Sequence, residues 1–296
     1  MRVGTRGSAL ALAQAGWVVE RLYELGEPDR VEIVEITTAG DRGQALLDKS
    51  RWTSELERAL LEGRIDVAVH SAKDVPGELG PGTAIAAVPV REDPFDALCG
   101  AVSVGSLATG ARVGTSSLRR AAQLRALRED LQIVQLRGNV DTRLGKLAAG
   151  EVDAVVLALA GLRRLGRAEE AAGRLEELVP APGQGALLLQ TRVGDEGMVR
   201  ALSDAGAQSC VRAERALAQA LGASCNTAVG AYATVSGLEA IELRAWIGLP
   251  DGSEWISDSL TGSPGAVGQA LAARMASVGA RDLLDRAERQ VKGAVP

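Results

Sequence analysis

From Ile65 to Pro76 the chain reads Ile-Asp-Val-Ala-Val-His-Ser-Ala-Lys-Asp-Val-Pro. The short β-branched run from Ile65 to Val69 is the pattern of a buried strand. Strands of open α/β sheets present ligand chemistry at their carboxyl ends. Here that end carries His70, Ser71, Lys73 and Asp74 before Val75-Pro76 closes the turn. A lysine beside an aspartate could anchor an anionic substrate and steady a positive charge on the same molecule. The competing reading is a solvated Lys-Asp pair in an ordinary loop.

Cys225 is the second reactive candidate. It lies in Gly222-Ala223-Ser224-Cys225-Asn226, after a helical stretch containing Glu214-Arg215. An accessible loop cysteine suits a nucleophile or a covalent tether. No histidine lies near it to activate it, which disfavours protease-like catalysis. Cys99, in an apolar run, and Cys210, opening a helix, read as buried structural thiols. Three widely spaced cysteines do not make a disulfide framework, and one histidine does not make a Cys/His metal cluster. No metal is expected.

The cations have their own pattern. Of 33 basic residues only Lys49, Lys73, Lys146 and Lys292 are lysine, and arginine suits carboxylate recognition. Arg6 falls in a predicted strand-to-helix turn, and Arg119-Arg120 open a predicted helix. Arg137-Gly138-Asn139 through Arg143 runs from a strand end into another helix, and Arg163-Arg164 follow the strand 154–158. Each alone reads as a surface cation; together with Lys73 they make a receptor for several carboxylates. The net charge of −5 and 2% aromatic content argue against a nucleic-acid binder.

The elements that carry these residues repeat. Arg2-Val3-Gly4-Thr5 leads through Ser8 into Ala9-Leu10-Ala11-Leu12-Ala13-Gln14. Arg112-Val113-Gly114-Thr115 leads through Ser116-Ser117 into Leu118-Arg119-Arg120-Ala121-Ala122-Gln123. Each predicts a strand, a tight turn, a serine cap and a helix. In the first helix Leu10, Ala13 and Trp17 form the predicted stripe, with Val18, Leu22 and Leu25 beside it. A second echo pairs Gly63-Arg64-Ile65-Asp66 with Gly150-Glu151-Val152-Asp153, each after a helical stretch. Ser54 with Glu57 predicts a capping box on the earlier one. Further strands are expected over 31–36 and 131–136. The inference is two α/β lobes of one plan, each offering a helix N-terminus that attracts anions. Facing each other, they would form a cleft.

Beyond residue 200 the character changes. A helix over 209–221, strands over 232–235, 241–247 and 254–257, and helices near 266–276 and 280–290 read as a small α+β domain. The expected division is 1–90 with 183–200, 91–182, and 201–296, with the chain crossing at Arg91–Pro94 and Pro180–Gly185. No run of about eighteen apolar residues is present. The start of the chain moves straight into a strand, so the expected location is the cytoplasm. A monomer is expected, since no long exposed apolar stripe stands out.

Taken in order, these segments resemble the porphobilinogen deaminase, or hydroxymethylbilane synthase, family. The resemblance runs through Thr5–Ser8, Val69–Pro76, Arg91–Pro94, Val113–Arg120, Leu136–Leu144, Leu159–Leu162, Pro180–Ala186 and the segment from Glu214 to Cys225. It implies a transferase with two lobes of periplasmic-binding-protein type plus a small third domain. Four porphobilinogens would be joined head to tail into hydroxymethylbilane, with release of ammonia, in haem and tetrapyrrole biosynthesis. The product would grow on a dipyrromethane cofactor held by a thioether to Cys225. By the same resemblance Asp74 is the catalytic carboxylate. Lys73, Thr115, Ser117, Arg119, Arg120 and Arg137 match cofactor-binding positions, and Arg6, Ser8, Arg143 and Arg164 match substrate-binding ones. A next enzyme taking the unstable linear product is implied by the pathway. A non-enzymatic receptor for a small carboxylate would share the lobes, but it explains neither Cys225 nor the extra domain.

Two departures stand out. The family usually has glycines just before the tether cysteine and a proline three residues after it, where this chain has Ala223-Ser224 and Ala228. Where the family commonly has Gly-Leu-Phe, this chain has Ser50-Arg51-Trp52. Trp52 is then either an aromatic cover for the cleft or a packing residue.

Overall fold

The computed structural model describes residues 1–26, 30–40, 52–224, 227–237 and 240–293. The first strands and helices come in the expected order: β1 (Arg2–Thr5), α1 (Ala9–Glu24), β2 (Glu32–Glu35), α2 (Ser54–Leu61), β3 (Val67–Ser71) and β4 (Thr83–Ala87). A second series follows, with β5 (Asp96–Cys99), β6 (Arg112–Gly114), α3 (Leu118–Leu127), β7 (Gln132–Val134), α4 (Val140–Ala148), β8 (Ala154–Ala158), α5 (Leu159–Arg164) and β9 (Gly173–Leu175). β10 (Leu187–Arg192) returns to the first sheet, whose order is β2-β1-β3-β10-β4; the second sheet is β7-β6-β8-β5-β9. In both, the central strands pair in parallel and one inserted strand runs antiparallel. Each of these two sheets has helices packed against it.

The remainder is α6 (Ala205–Ala220), an antiparallel sheet of β11 (Ala228–Val235), β12 (Ile241–Gly248) and β13 (Trp255–Gly262), then α7 (Val267–Ser277) and α8 (Ala280–Gly293). By contacts the chain divides into two compact units, 1–92 with 185–211 and 93–184 with 212–296, so the last boundary falls inside α6.

The first unit is built on Val3, Ala15, Val18, Leu22, Val67, Val69, Leu187 and Leu189. Helix α1 starts at Ser8, whose Oγ accepts from the Ala11 N–H at 3.3 Å. Its buried stripe is Ala11, Ala15, Val18 and Leu22. The predicted stripe is therefore rotated: Leu10, Ala13 and Trp17 are half-buried and Leu25 is exposed. Ala11 and Ala15 let the helix backbone close on the sheet, and the larger side chains go to its flanks.

The predicted capping box on α2 does not form. Thr53 takes the cap position without a side-chain cap bond. Glu57 is drawn away to other donors, accepting from the Gly80 N–H and from Gln190 Nε2, each at 2.9 Å. The strands shift slightly from expectation, β3 ending at Ser71 rather than Val69 and β13 extending to Gly262.

The second unit holds two apolar clusters on either face of its sheet. One includes Leu98, Val113, Leu124 and Val156, the other Cys99, Leu136, Val155 and Leu162. Cys99 is fully buried, and burial pushes its thiol up to about 11; Cys210 is also buried. Both are the inert thiols expected. Tyr232 of β11 packs edge-on against Phe95 at 5.2 Å between ring centres.

Candidate active site

In the first unit β3 delivers the chemistry. Beyond Ser71 the chain makes a single 3-10 turn, Ala72–Asp74. The turn is pinned from both sides: the Ala72 N–H donates to the Ala186 carbonyl at 3.0 Å, and Val75 is buried. Lys73 and Asp74 stand half-buried on this anchored turn. A turn so fixed holds a carboxylate at a set place without reorganisation. Arg6 leaves the β1–α1 turn and lies 3.9 Å over the Trp52 ring, a cation–π contact. Trp52 therefore packs on a candidate site residue. Ser8 is spent in capping α1.

Below them lies a polar network that the sequence did not announce. His70 is 5% exposed, and its Nε2 is 2.9 Å from Gln190 Oε1. Gln190 Nε2 donates to Glu57 Oε1 at 2.9 Å and to Thr83 Oγ1 at 2.7 Å. With the amide nitrogen occupied as donor, Gln190 Oε1 is the acceptor, so His70 is the Nε2–H tautomer. Burial pushes the His70 pKa down to about 4, against the raising pull of Gln190, Glu57 and Asp74; Arg6 lowers it further. Asp74 and Arg6 thus both act on this ring.

In the second unit the residues group around β6, α3 and α4. Thr115 is buried, and its Oγ1 accepts from the Ser117 N–H at 3.2 Å; Ser117 caps α3 by accepting from the Arg120 N–H. Arg119 and Arg120 turn inward onto Asp96, which is fully buried in β5. Arg119 Nη2 reaches Oδ2 at 2.7 Å, and Arg120 Nε and Nη2 reach Oδ1 at 2.9 and 2.7 Å. Gln184 Nε2 adds a fourth bond at 2.8 Å. Burial alone would raise the Asp96 pKa, but the two guanidiniums hold it well below the usual carboxylate range. The sequence did carry a signal for Asp96: a carboxylate inside the apolar run Phe95–Cys99 must find a partner.

Further cations lie in the same unit. Asn139 caps α4 by accepting from the Thr142 N–H at 2.8 Å. Arg143 donates through Nε to the Gly138 carbonyl at 2.8 Å, and burial followed by the nearby Arg120 charge lowers its pKa. Gly138 sits at φ +119°, a backbone state closed to most residues. Arg137 is exposed and Arg164 half-buried at the end of α5. Arg119 Nε is buried with no hydrogen-bond partner among the described residues. An orphaned buried donor, two capped helix N-termini and a partly desolvated arginine fit a bound group carrying several carboxylates. Cys225 lies outside the described residues. Among the described residues no cluster of histidine, cysteine or carboxylates has metal-site geometry, and no helix is long and apolar enough to cross a membrane.

The porphobilinogen deaminase dipyromethane cofactor binding domain matches residues 1–200, and the porphobilinogen deaminase C-terminal domain matches 208–277. A porphobilinogen deaminase of Deinococcus deserti is 45% identical, covering 96% of this chain and 98% of its own. The chain belongs to the porphobilinogen deaminase family. Members from Mycobacterium avium and Bacillus subtilis are 44% and 40% identical, over 97% and 98% of this chain and 97% of each relative. As a member of this family the protein is a transferase of tetrapyrrole biosynthesis that makes hydroxymethylbilane and uses a dipyrromethane cofactor. Among solved structures, an L-cystine receptor of Neisseria gonorrhoeae aligns at TM-score 0.38 and 17% identity over 75% of this chain and 87% of its own, which adds nothing to the topology above.

Proposed function

We propose that Asp74 is the catalytic carboxylate of this deaminase and that Cys225 carries the cofactor. The observation that supports the first assignment most is the anchored Ala72–Asp74 turn at the end of β3, which fixes a carboxylate beside Lys73. As ammonia leaves porphobilinogen, positive charge develops on the pyrrole. On this reading Asp74 meets that charge where it forms. Lys73, Arg6, Arg143, Arg137 and Arg164 neutralise the acetate and propionate groups of the substrate and the growing chain. Ser8, Thr115, Ser117, Arg119 and Arg120 set the helix ends and the charge around them. When bound, the dipyrromethane supplies the pyrrole carbon from which the chain of four is extended.

We also read the folding units as 1–90 with 183–200, 91–182 and 201–296; their support is the three separate sheets. A cytoplasmic monomer handing its product directly to a following enzyme is the simplest arrangement for an unstable linear product.

The experiment is Asp74→Asn, which keeps the shape and removes the charge. Turnover should be nearly abolished while intact mass still shows the cofactor attached. Turnover at the wild-type rate would remove Asp74 from the chemistry.

A further inference from the structure

The loop that bears Cys225 departs from the family's glycines and proline, and the structure contains bonds made by the residues that replace them. Just past the end of α6 Gly222 sits at φ +69°, and the Ala223 N–H returns to the Ala218 carbonyl at 2.9 Å. The described residues that flank Cys225 and Asn226 then hold one another. The Ser224 N–H donates to Thr227 Oγ1 at 2.9 Å, and Thr227 Oγ1 donates to the Ser224 carbonyl at 2.9 Å. Thr227 is buried, so this clasp is tied to the start of β11.

The Ser224 side chain reaches further. Its Oγ donates to Glu288 Oε1 at 2.7 Å, across 64 residues of sequence. Glu288 stands on α8, which is seated by Ala280, Leu283, Leu284 and Ala287. Its other oxygen faces Lys292 at 3.4 Å. A hydroxyl-to-carboxylate bond is stronger than a neutral one. It joins the residue directly before the cysteine to a packed helix.

We infer that Glu288 is a positioning residue for cofactor attachment, acting through Ser224 to hold the loop stem that presents Cys225. The inference rests on the reading of Cys225 as the tether. In this chain the Ser224–Thr227 clasp and the tie to α8 restrain the stem. Attachment forms one S–C bond as the aminomethyl C–N bond of porphobilinogen breaks. The electron pair leaves on nitrogen, which takes up the thiol proton and departs as ammonia. A thiol on a stem with fewer accessible conformations reaches that geometry more often. Glu288 also lines an open hollow of about 450 Å³ with Gly222, Thr227 and Arg281, so shortening its side chain opens no cavity in the core.

The test uses full-length protein produced without porphobilinogen. Two rates are read on wild type, Ser224→Ala, Glu288→Ala and Glu288→Gln: mass gain on adding porphobilinogen, and alkylation of Cys225 by iodoacetamide located by peptide mass. Ser224→Ala and Glu288→Ala should each change both rates about three- to tenfold, with attachment slowed, as the loss of one charge-assisted hydrogen bond implies. The double variant should be no worse than either single one. Glu288→Gln, which keeps an acceptor, should recover part of the loss. Arg286→Ala, which removes the pairing of α8 with Glu254, loosens the same helix without touching Ser224 and should leave both rates unchanged. Wild-type rates in Ser224→Ala and Glu288→Ala would overturn the inference, as would an equal loss in Arg286→Ala. Cys225→Ala separates the two failures: if it still gains the mass, the tether reading itself is wrong.

Discussion

The two five-stranded sheets share a frame down to one ion pair. At the start of β1, Arg2 gives its backbone N–H to Asp66 Oδ2 at 2.7 Å and its guanidinium to Oδ1 at 2.7 Å. At the start of β6, Arg112 does the same with Asp153, at 2.7 and 2.8 Å. Both aspartates return an N–H to their arginine's carbonyl at 2.8 Å, and both follow a glycine in the left-handed region, Gly63 at φ +66° and Gly150 at φ +71°. The sheets part company at the next strand end. β3 runs into Lys73-Asp74 on a pinned turn, whereas β8 runs into the buried Leu159–Leu162 and delays its charges to Arg163-Arg164. The carboxylate of the second sheet is Asp96, sealed beneath two arginines. One frame thus presents an acid, and the other withdraws its acid and keeps cations. On the proposed reading the first unit supplies the reacting acid together with Lys73 and Arg6, and the second supplies further cations for the anionic chain.

The sharpest way to break this contrast is at the two carboxylates. Asp96→Ala leaves two guanidiniums buried without their partner and should cost about 3–5 kcal/mol of stability, read by urea unfolding. A loss below about 1 kcal/mol would mean that Asp96 does not hold the second lobe together. Asp74→Asn should leave the unfolding midpoint near wild type but lower kcat by about 100- to 1,000-fold. The opposite pattern, a destabilised protein with normal kcat, would reverse the roles given to the two acids.

His70 sharpens the comparison through pH. Its folded pKa of about 4 lies below the unfolded value of 6.5. Above pH 6.5 neither state binds the proton; between 6.5 and 4 the unfolded state binds it and the native state does not. Stability should therefore fall as pH drops through that window, by about 3 kcal/mol in all from this one group. His70→Gln should flatten that part of the profile in urea titrations. An unchanged slope would place the acid sensitivity elsewhere.

The smallest effect belongs to the shared ion pairs. Asp66 is the more sheltered partner, with its side chain 19% exposed against 45% for Asp153, and Arg192 lies 3.7 Å from it. Asp66→Ala should lower the melting temperature more than Asp153→Ala, and both less than Asp96→Ala. Equal shifts would show that burial does not distinguish the two copies.

The frame was legible because it rests on local pattern: the doubled Arg-Val-Gly-Thr, the serine caps and the strand ends all lie within a few residues of one another. The rotated stripe of α1 was not, since alternating leucine and alanine leave two faces apolar and only packing against the sheet chooses between them. The missing capping box has a similar cause. Ser54 and Glu57 have the right spacing, but Gly80 and Gln190, far along the chain, offer Glu57 donors that outcompete the cap. At the candidate site the residue types were readable and the partnerships were not. Arg119 and Arg120 announced positive charge, but that Asp96 claims both guanidiniums while Gln184 donates to the same carboxylate depends on contacts 23 to 88 residues apart.

The most direct test of the whole account is the intact mass of the denatured protein, wild type beside Cys225→Ala, before and after porphobilinogen is added. Wild type should carry the mass of one dipyrromethane and gain further pyrrole units stepwise, while Cys225→Ala stays at the mass of its polypeptide. A wild type that never gains mass, or a Cys225→Ala protein that gains it equally, would contradict the account.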